Sequence, residues 1–279
     1  MSHFSEFEAQ ARFAVDTAAD WGAHLVVLPE LITTQLLGLT PAQHPWEAAR
    51  GLHAFTHAYR EFFSAIAMSR QIAIVAGTHL QLCGEKFTNT AYLFHADGAI
   101  DQQHKLHITP SELRSYKVEP GDTLRIFRVA GCKVAILICY DSEFPELGRA
   151  AAARGAELLV VPYNTDLRSG HLRVRHCAHA RAIENHVYVA LAGASGTLPG
   201  LPGVDQHYAQ SAIVTPSDVP FARDALAAEA PVNDECVVLA DLDIGLLHRT
   251  RDAGAVCTWR DRRHDLYRVT MLDEDGGTV

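Results

Sequence analysis

The strongest constraint on this chain is a phrase it uses twice: a helical stretch followed closely by a short apolar run that proline cuts off. From Phe4 to Trp21 the apolar positions Phe7, Ala11, Phe13, Ala14 and Ala18 recur mostly at three- and four-residue steps, which predicts an amphipathic helix. His24 to Leu28 then reads as a strand that stops at Pro29. The stretch Glu146 to Arg154, Gly155, and the apolar run Leu158 to Val161 before Pro162 repeat the phrase. Such alternation commits the chain to a layered α/β fold with loops at the strand ends.

Further strands are expected at Ile72 to Gly77, Thr90 to Phe94, Leu124 to Val129 and Val134 to Ile138, with a hairpin-type turn at Asp97-Gly98. The unbroken apolar run Val134 to Ile138 belongs in a sheet covered on both faces. Ser142 to Arg154 reads as largely helical and His171 to Asn185 as a second helix. After these come a strand from Val187 to Ala192, a Gly/Pro-rich loop from Gly193 to Gly203, and strands at Ala212 to Val214 and Cys236 to Asp241. No internal repeat and no linker-like composition interrupts the pattern, so residues 1–279 are expected to form a single domain.

Charge and composition exclude several function classes. With 24 Lys+Arg against 33 Asp+Glu the net charge is −9, and no basic block is long enough to track a phosphate backbone, so nucleic acid is not an expected partner. No apolar run approaches the roughly 18 residues that would span a bilayer, so no membrane partner is expected either. The amino terminus is polar and acidic, unlike a signal peptide, and the expected location is cytoplasmic. The six cysteines are dispersed without a CxxC pair, which predicts reduced thiols to be judged one by one.

Cys139 is singled out by position, because it sits where an apolar strand ends and a helical stretch is about to begin. There the positive end of a helix dipole favours thiolate, and free backbone N–H groups can hold an oxyanion. A lone cysteine is more often a buried structural residue. Company changes the reading: Leu28-Pro29-Glu30 is another strand ending in an acid, and His104-Lys105-Leu106-His107 sets a lysine after an extended stretch. A carboxylate can take the thiol proton and a lysine can hold charge developing on a carbonyl oxygen.

Leu28-Pro29-Glu30, Lys105-Leu106-His107 and Ile138-Cys139-Tyr140-Asp141 with Phe144-Pro145-Glu146 resemble, in order and spacing, the three signature segments of the nitrilase superfamily, the carbon–nitrogen hydrolases with a Glu-Lys-Cys triad. The likeness continues in Asn89-Thr90-Ala91, Glu119-Pro120-Gly121-Asp122, Arg181 to Asn185 and Asp265-Leu266-Tyr267. It implies a four-layer α-β-β-α sandwich of two mixed sheets. Its carry-over makes Glu30 the general base, Cys139 the nucleophile, and Lys105 with the Tyr140 N–H the oxyanion holder. Glu112 matches the second glutamate that helps position substrate, although an acid after Ser111 also suits a helix start.

The resemblance further implies no metal or organic cofactor, a small-molecule amide as substrate, and a homodimer or higher assembly through the helix Glu146 to Arg154 and the helix beyond His171. Tyr140-Asp141 looks like the amidase and carbamoylase branches, whereas true nitrilases usually carry Trp-Glu there; N-carbamoyl amino acids and nitriles stay open as alternatives. Thr33 to Leu37 and Trp259 to Arg263 look like a bacterial subgroup in which some members carry an upstream acetyltransferase domain. Tyr140, His107, Asn164 and Arg173 are candidate substrate contacts, the last two because the Pro162 to Arg175 loop lines the family's pocket. Pocket shape is expected to depend on Thr33 to Pro45 and Gly193 to Gly203.

One departure stands out. Family members generally open with a strand of the type Val-Ala-x-x-Gln, and this chain begins directly with its helix; a start set too late is expected, with reduced stability or activity as its consequence. Two rival classes remain. One is a zinc-dependent hydrolase built on His171, His176 and His179, although arginines interleave with them and no carboxylate sits at ligand spacing. The other is a non-catalytic binding module on the same fold, against which the intact Glu30, Lys105 and Cys139 argue.

Overall fold

In the computed structural model, which describes residues 1–40, 44–198 and 206–272, the helical and extended stretches stack as α-β-β-α layers. The element order is α1 (Phe4–Asp20), β1 (Leu25–Val27), α2 (Pro45–Leu52), α3 (Thr56–Arg70), β2 (Ala73–Cys83), β3 (Lys86–Phe94), β4 (Ile100–His104), α4 (Pro110–Ser115), β5 (Phe127–Val129), β6 (Cys132–Ile136), α5 (Pro145–Ala153), β7 (Leu158–Tyr163), α6 (Arg168–Asn185), β8 (Tyr188–Gly193), β9 (Gly196–Thr197), β10 (Gln206–His207), β11 (Ala212–Val214), β12 (Leu226–Glu229) and α7 (Ile244–Ala253). One sheet runs β1-β2-β3-β4 and the other β12-β11-β8-β7-β6-β5, while β9 and β10 pair apart from both. Both large sheets are mixed: β1 is parallel to β2, and β6, β7 and β8 are mutually parallel, with antiparallel partners beside them.

Strand periodicity builds the layers. Along β2, Ala73 and Val75 join the core between the sheets with β6, β7 and β8, whereas Ile74 and Ala76 join the cluster under α1 and α3. The Ala-rich α5 and α6 cover the outer face of the second sheet through Ala150, Ala151, Ala178 and Ala182. Phe7, Ala11, Val15 and Ala18 are the buried stripe of α1; Phe13, expected on it, is 72% exposed.

Three further expectations are corrected. Pro162 does not stop its strand: β7 continues to Tyr163, paired with Ala192 and Gly193 of β8, because its ladder with β6 ends at Val160 and Pro162 has no donor to supply on that side. Ser142 to Arg154 is not one helix. A 3-10 turn covers Cys139–Glu143, Phe144 is extended as the residue before a proline must be, and α5 starts at Pro145. Cys236 to Asp241 forms no strand among the described residues, because no neighbouring edge pairs with it.

That segment instead borders a slot of about 1020 Å³, whose other walls include Ala14, Ala18 and Val26 from α1 and β1 and Leu158 and Ala190 from the second sheet. Beside the slot β1 is an edge strand, bonded in the sheet to β2 alone among the described residues. Glu30, Asn164 and His207 also line the slot.

Candidate active site

Glu30, Lys105 and Cys139 each follow a strand end. Glu30 leaves β1 through a tight path: Leu31 adopts the left-handed conformation at φ 54°, and its N–H donates to Thr78 Oγ1 at 2.7 Å. Gly77, at φ 67°, lies so close that a Cβ there would overlap the Pro29 carbonyl oxygen. Glycine is required there on both counts, conformation and space. Gly77→Ala is expected to cost at least about 2 kcal/mol and to slow turnover by shifting Glu30. Chemical denaturation of the variant checks the first outcome, and activity per folded molecule the second.

Lys105 follows β4 and enters between two carboxylates. Its Nζ donates to Glu30 Oε1 and Glu112 Oε2, each at 2.7 Å, and all three side chains are nearly solvent-free. Glu112 is held by a capping box at the start of α4, where it accepts from the Thr109 N–H and hydroxyl and its own N–H donates to Thr109 Oγ1. Glu112 is thus the helix-start acid and, with the same side chain, a partner of Lys105. Asn89, fully buried in β3, donates from Nδ2 to Glu30 Oε1 and Glu112 Oε1, both at 2.9 Å. Only the amide nitrogen can face two carboxylates, which fixes its orientation.

Cys139 closes the group at the end of the β6 segment. It takes φ 49°, strained for a residue with a Cβ, and its Sγ donates toward the Asn164 carbonyl at 3.8 Å. The Asn164 N–H in turn donates to Glu30 Oε2 at 3.0 Å, so one residue after β7 touches both Glu30 and Cys139 through its backbone. Its side chain faces elsewhere, with Oδ1 accepting from His207 Nδ1 at 2.9 Å.

Burial and the crowd of charges set the proton positions. Burial raises Glu30 above its ordinary value, Lys105 opposes this, and the Glu112 charge adds to it. Burial works to raise Glu112 as well, but Lys105 and the hydrogen bonds from Lys105, Asn89 and Thr109 hold it below the usual carboxylate range. Lys105 is raised: burial works to lower it, and the two glutamates outweigh that. Burial and then the Glu30 charge push the Cys139 thiol well up. A thiolate favoured by a helix dipole is therefore not the resting state; desolvation outweighs it, and the segment after Cys139 is a 3-10 turn rather than an α-helix.

The structure thus brings Glu30, Lys105, Glu112 and Cys139 together. Tyr140 lies on the 3-10 turn, its ring edge-on to Phe144 at 4.9 Å. His107 stacks on Phe144 with ring centroids 3.7 Å apart, a third of its side chain exposed. Arg173 is 63% exposed and ion-paired to Glu143 Oε2 at 3.1 Å; among the described residues it shares no hydrogen bond with the four. Among the described residues no three His, Cys, Asp or Glu side chains gather as a metal-holding group. His171, one of the zinc candidates, bonds the Tyr163 hydroxyl at 3.1 Å. Residues 41–43 and 199–203 of the two expected pocket loops lie outside the described residues. Sequence reasoning assigned no role to Asn89; a polar residue in a strand buried at almost every position is the signal that would have found it.

A family model described as Carbon-nitrogen hydrolase matches residues 3–252. The chain belongs to that family. Among relatives of this carbon–nitrogen hydrolase family member, a protein named Probable hydrolase YhcX from Bacillus subtilis (strain 168) is 42% identical over 266 residues, which is 95% of this chain and 52% of that protein. The chain therefore spans about half of that relative's length. Omega-amidase NIT2 of Homo sapiens is 28% identical over 267 residues, covering 91% of this chain and 88% of the relative. Among solved structures, a mutant of the amidase from Nesterenkonia sp. AN1, carrying the product of Michael addition of acrylamide at its active-site cysteine, superposes with a TM-score of 0.69 at 25% identity, over 91% of this chain and 89% of that one. A carbon-nitrogen hydrolase from Helicobacter pylori G27 shares the fold at a TM-score of 0.80 and 21% identity, over 96% and 93% of the two chains. Among the described residues no helix is long and apolar enough to cross a membrane.

Proposed function

We propose that residues 1–279 act as one hydrolase domain, a cysteine amidase that cleaves a small, non-peptide amide through a thioester. The observation that carries this reading is a buried lysine ammonium shared by two carboxylates, one of them linked through the Asn164 backbone to a strained cysteine. A structural core has no need of three buried charges beside a thiol, since desolvating them is costly. A hydrolase uses them. Ionised Glu30 takes the proton from the Cys139 thiol as sulfur attacks the amide carbonyl. Lys105 and the Tyr140 N–H hold the oxyanion, and Glu30 returns the proton to the departing amine or ammonia. Water, deprotonated by Glu30, then attacks the thioester; the acid leaves and Cys139 recovers its proton. Glu112 keeps Lys105 charged and aimed.

The raised Cys139 pKa supports base-assisted attack over a preformed thiolate. Relatives named as omega-amidases make ω-amides the first substrates to try. His107, Tyr140 and the Asn164 side chain are the candidate contacts for the rest of the substrate. Arg173 serves that role only if its pair with Glu143 opens. A cytoplasmic location and pairing of two copies through α5 and α6 accompany this proposal.

The deciding experiment is ammonia release from a panel of ω-amides, N-carbamoyl amino acids, aliphatic amides and nitriles, with intact mass recorded for a trapped acyl-enzyme. Amide turnover that vanishes in Cys139→Ala, with an adduct on Cys139, is the expected result. Turnover that survives Cys139→Ala would falsify the proposal.

A further inference from the structure

Asp141 lies outside the chemistry described above, yet it touches both segments that carry it. Its side chain is buried, 1% exposed, and its carboxylate accepts from four donors. His107 N–H reaches Oδ1 at 2.7 Å, His107 Nδ1 at 2.9 Å and Leu106 N–H at 3.2 Å, while Ile138 N–H reaches Oδ2 at 3.2 Å. A carboxylate only accepts, so the His107 proton sits on Nδ1. Three donors belong to the two residues after Lys105; the fourth belongs to the residue before Cys139.

The Lys105 backbone is held on its other side as well. Its N–H donates to the Asn89 carbonyl at 2.9 Å, and its carbonyl accepts from the Gly121 N–H at 2.8 Å. The lysine thus hangs between an anchor on β3 and an anchor on the cysteine turn. His107 strengthens the second anchor by stacking on Phe144, the extended residue between that turn and α5. Glu30 and Glu112 hold the ammonium itself, and among the described residues Asp141 is the carboxylate that ties the backbone after Lys105 to the backbone before Cys139. Catalytic groups tolerate displacements of a fraction of an ångström before rate is lost.

We infer that Asp141 is a positioning residue, the buried brace that fixes Lys105 against Cys139 so that the ammonium meets the oxyanion. The inference rests on the hydrolase reading. A purely stabilising role predicts a different outcome: loss of folded protein with unchanged rates per folded molecule.

Asp141→Asn keeps the size of the side chain and replaces one acceptor by a donor, which opposes the N–H groups now facing it. With an ω-amide or whichever panel amide is turned over, kcat is expected to fall about 100-fold while KM changes less than threefold. Alkylation of Cys139 by iodoacetamide, followed by intact mass, is expected to slow about tenfold. The alkylation arm needs no substrate, so a protein that hydrolyses nothing on the panel still reports on the brace. Circular dichroism gives the folded fraction. Should Asp141→Asn fail to fold, His107→Ala decides, because it removes one donor and the ring stack but leaves both loop amides: about fivefold lower kcat and slower alkylation support the brace. Wild-type kcat and alkylation per folded molecule, in whichever variant folds, overturn it, as does an effect confined to KM.

Discussion

Glu30→Gln should fold and still accept a covalent label on Cys139, yet turn over amide about 10²–10⁴-fold more slowly, the range for loss of a general base. The amide oxygen of Gln can take the place of Oε1, which accepts from Lys105 and Asn89. The mismatch falls at Oε2, where a Gln nitrogen would meet the Asn164 N–H. What is lost outright is proton acceptance, in a site where burial and the Glu30 charge keep the thiol protonated.

The pH dependence follows from the same side chain. Burial raises Glu30, so the acidic fall in kcat/KM is expected at higher pH than for an ordinary carboxylate, and it should disappear in Glu30→Gln. Because Glu30, Lys105 and Glu112 are coupled, the wild-type limb belongs to the group as a whole. A Gln variant within tenfold of wild-type turnover, or one that keeps the limb, would remove Glu30 from the role of base.

Lys105→Met should be the most damaging single change. It removes the cation from between Glu30 and Glu112 and leaves two buried carboxylates that share the Asn89 amide. Breaking a buried ion pair on one side typically costs about 3–5 kcal/mol, and activity should drop with it by at least about 10³-fold once the oxyanion holder is gone. The pH dependence of the stability loss gives it a signature. In the wild type Lys105 is raised, so its contribution is complete below the ordinary lysine value and fades as pH climbs through the raised one.

Glu112 is lowered, so its contribution is present above the ordinary carboxylate value and fades as pH falls through the lowered one. Between those limits the wild type enjoys both. Without the lysine, both carboxylates bind protons more readily in the folded state, and the variant should recover part of its deficit as the medium is acidified from neutral toward the ordinary carboxylate value. Denaturation curves at neutral and mildly acidic pH test this; a deficit that grows on acidification contradicts the charge arrangement.

Much of the architecture was legible because it rests on local pattern. The period of α1, the two-sided apolar run of β6 and the Ala-rich α5 each state their burial in sequence, and each lies where that statement puts it. Errors arose where a neighbour decides. Phe13 has the spacing of a core residue and faces solvent. Cys236 to Asp241 has the composition of a strand and pairs with nothing, because a strand exists only beside an edge at bonding distance and no local pattern reports that edge. Pro162 remains in β7 because the ladder it would have broken had already ended.

The site divides in the same way. Glu30, Lys105, Glu112 and Cys139 could be named from sequence, since each lies in a short segment whose residue types and order resemble a family's signature. Asn89 and Asp141 were given no role, because their bonds reach across 59 residues to Glu30 and 34 to His107; a buried polar position flags Asn89 in its strand, but neighbouring residue types do not name a partner at that range. Proton positions were equally out of reach. The sequence by itself determined which groups are available and which strands carry them. Only the tertiary structure decided that the lysine sits between two carboxylates, that burial keeps the cysteine a thiol, and that Arg173 turns to Glu143, because charge, desolvation and distance are properties of assembled neighbours.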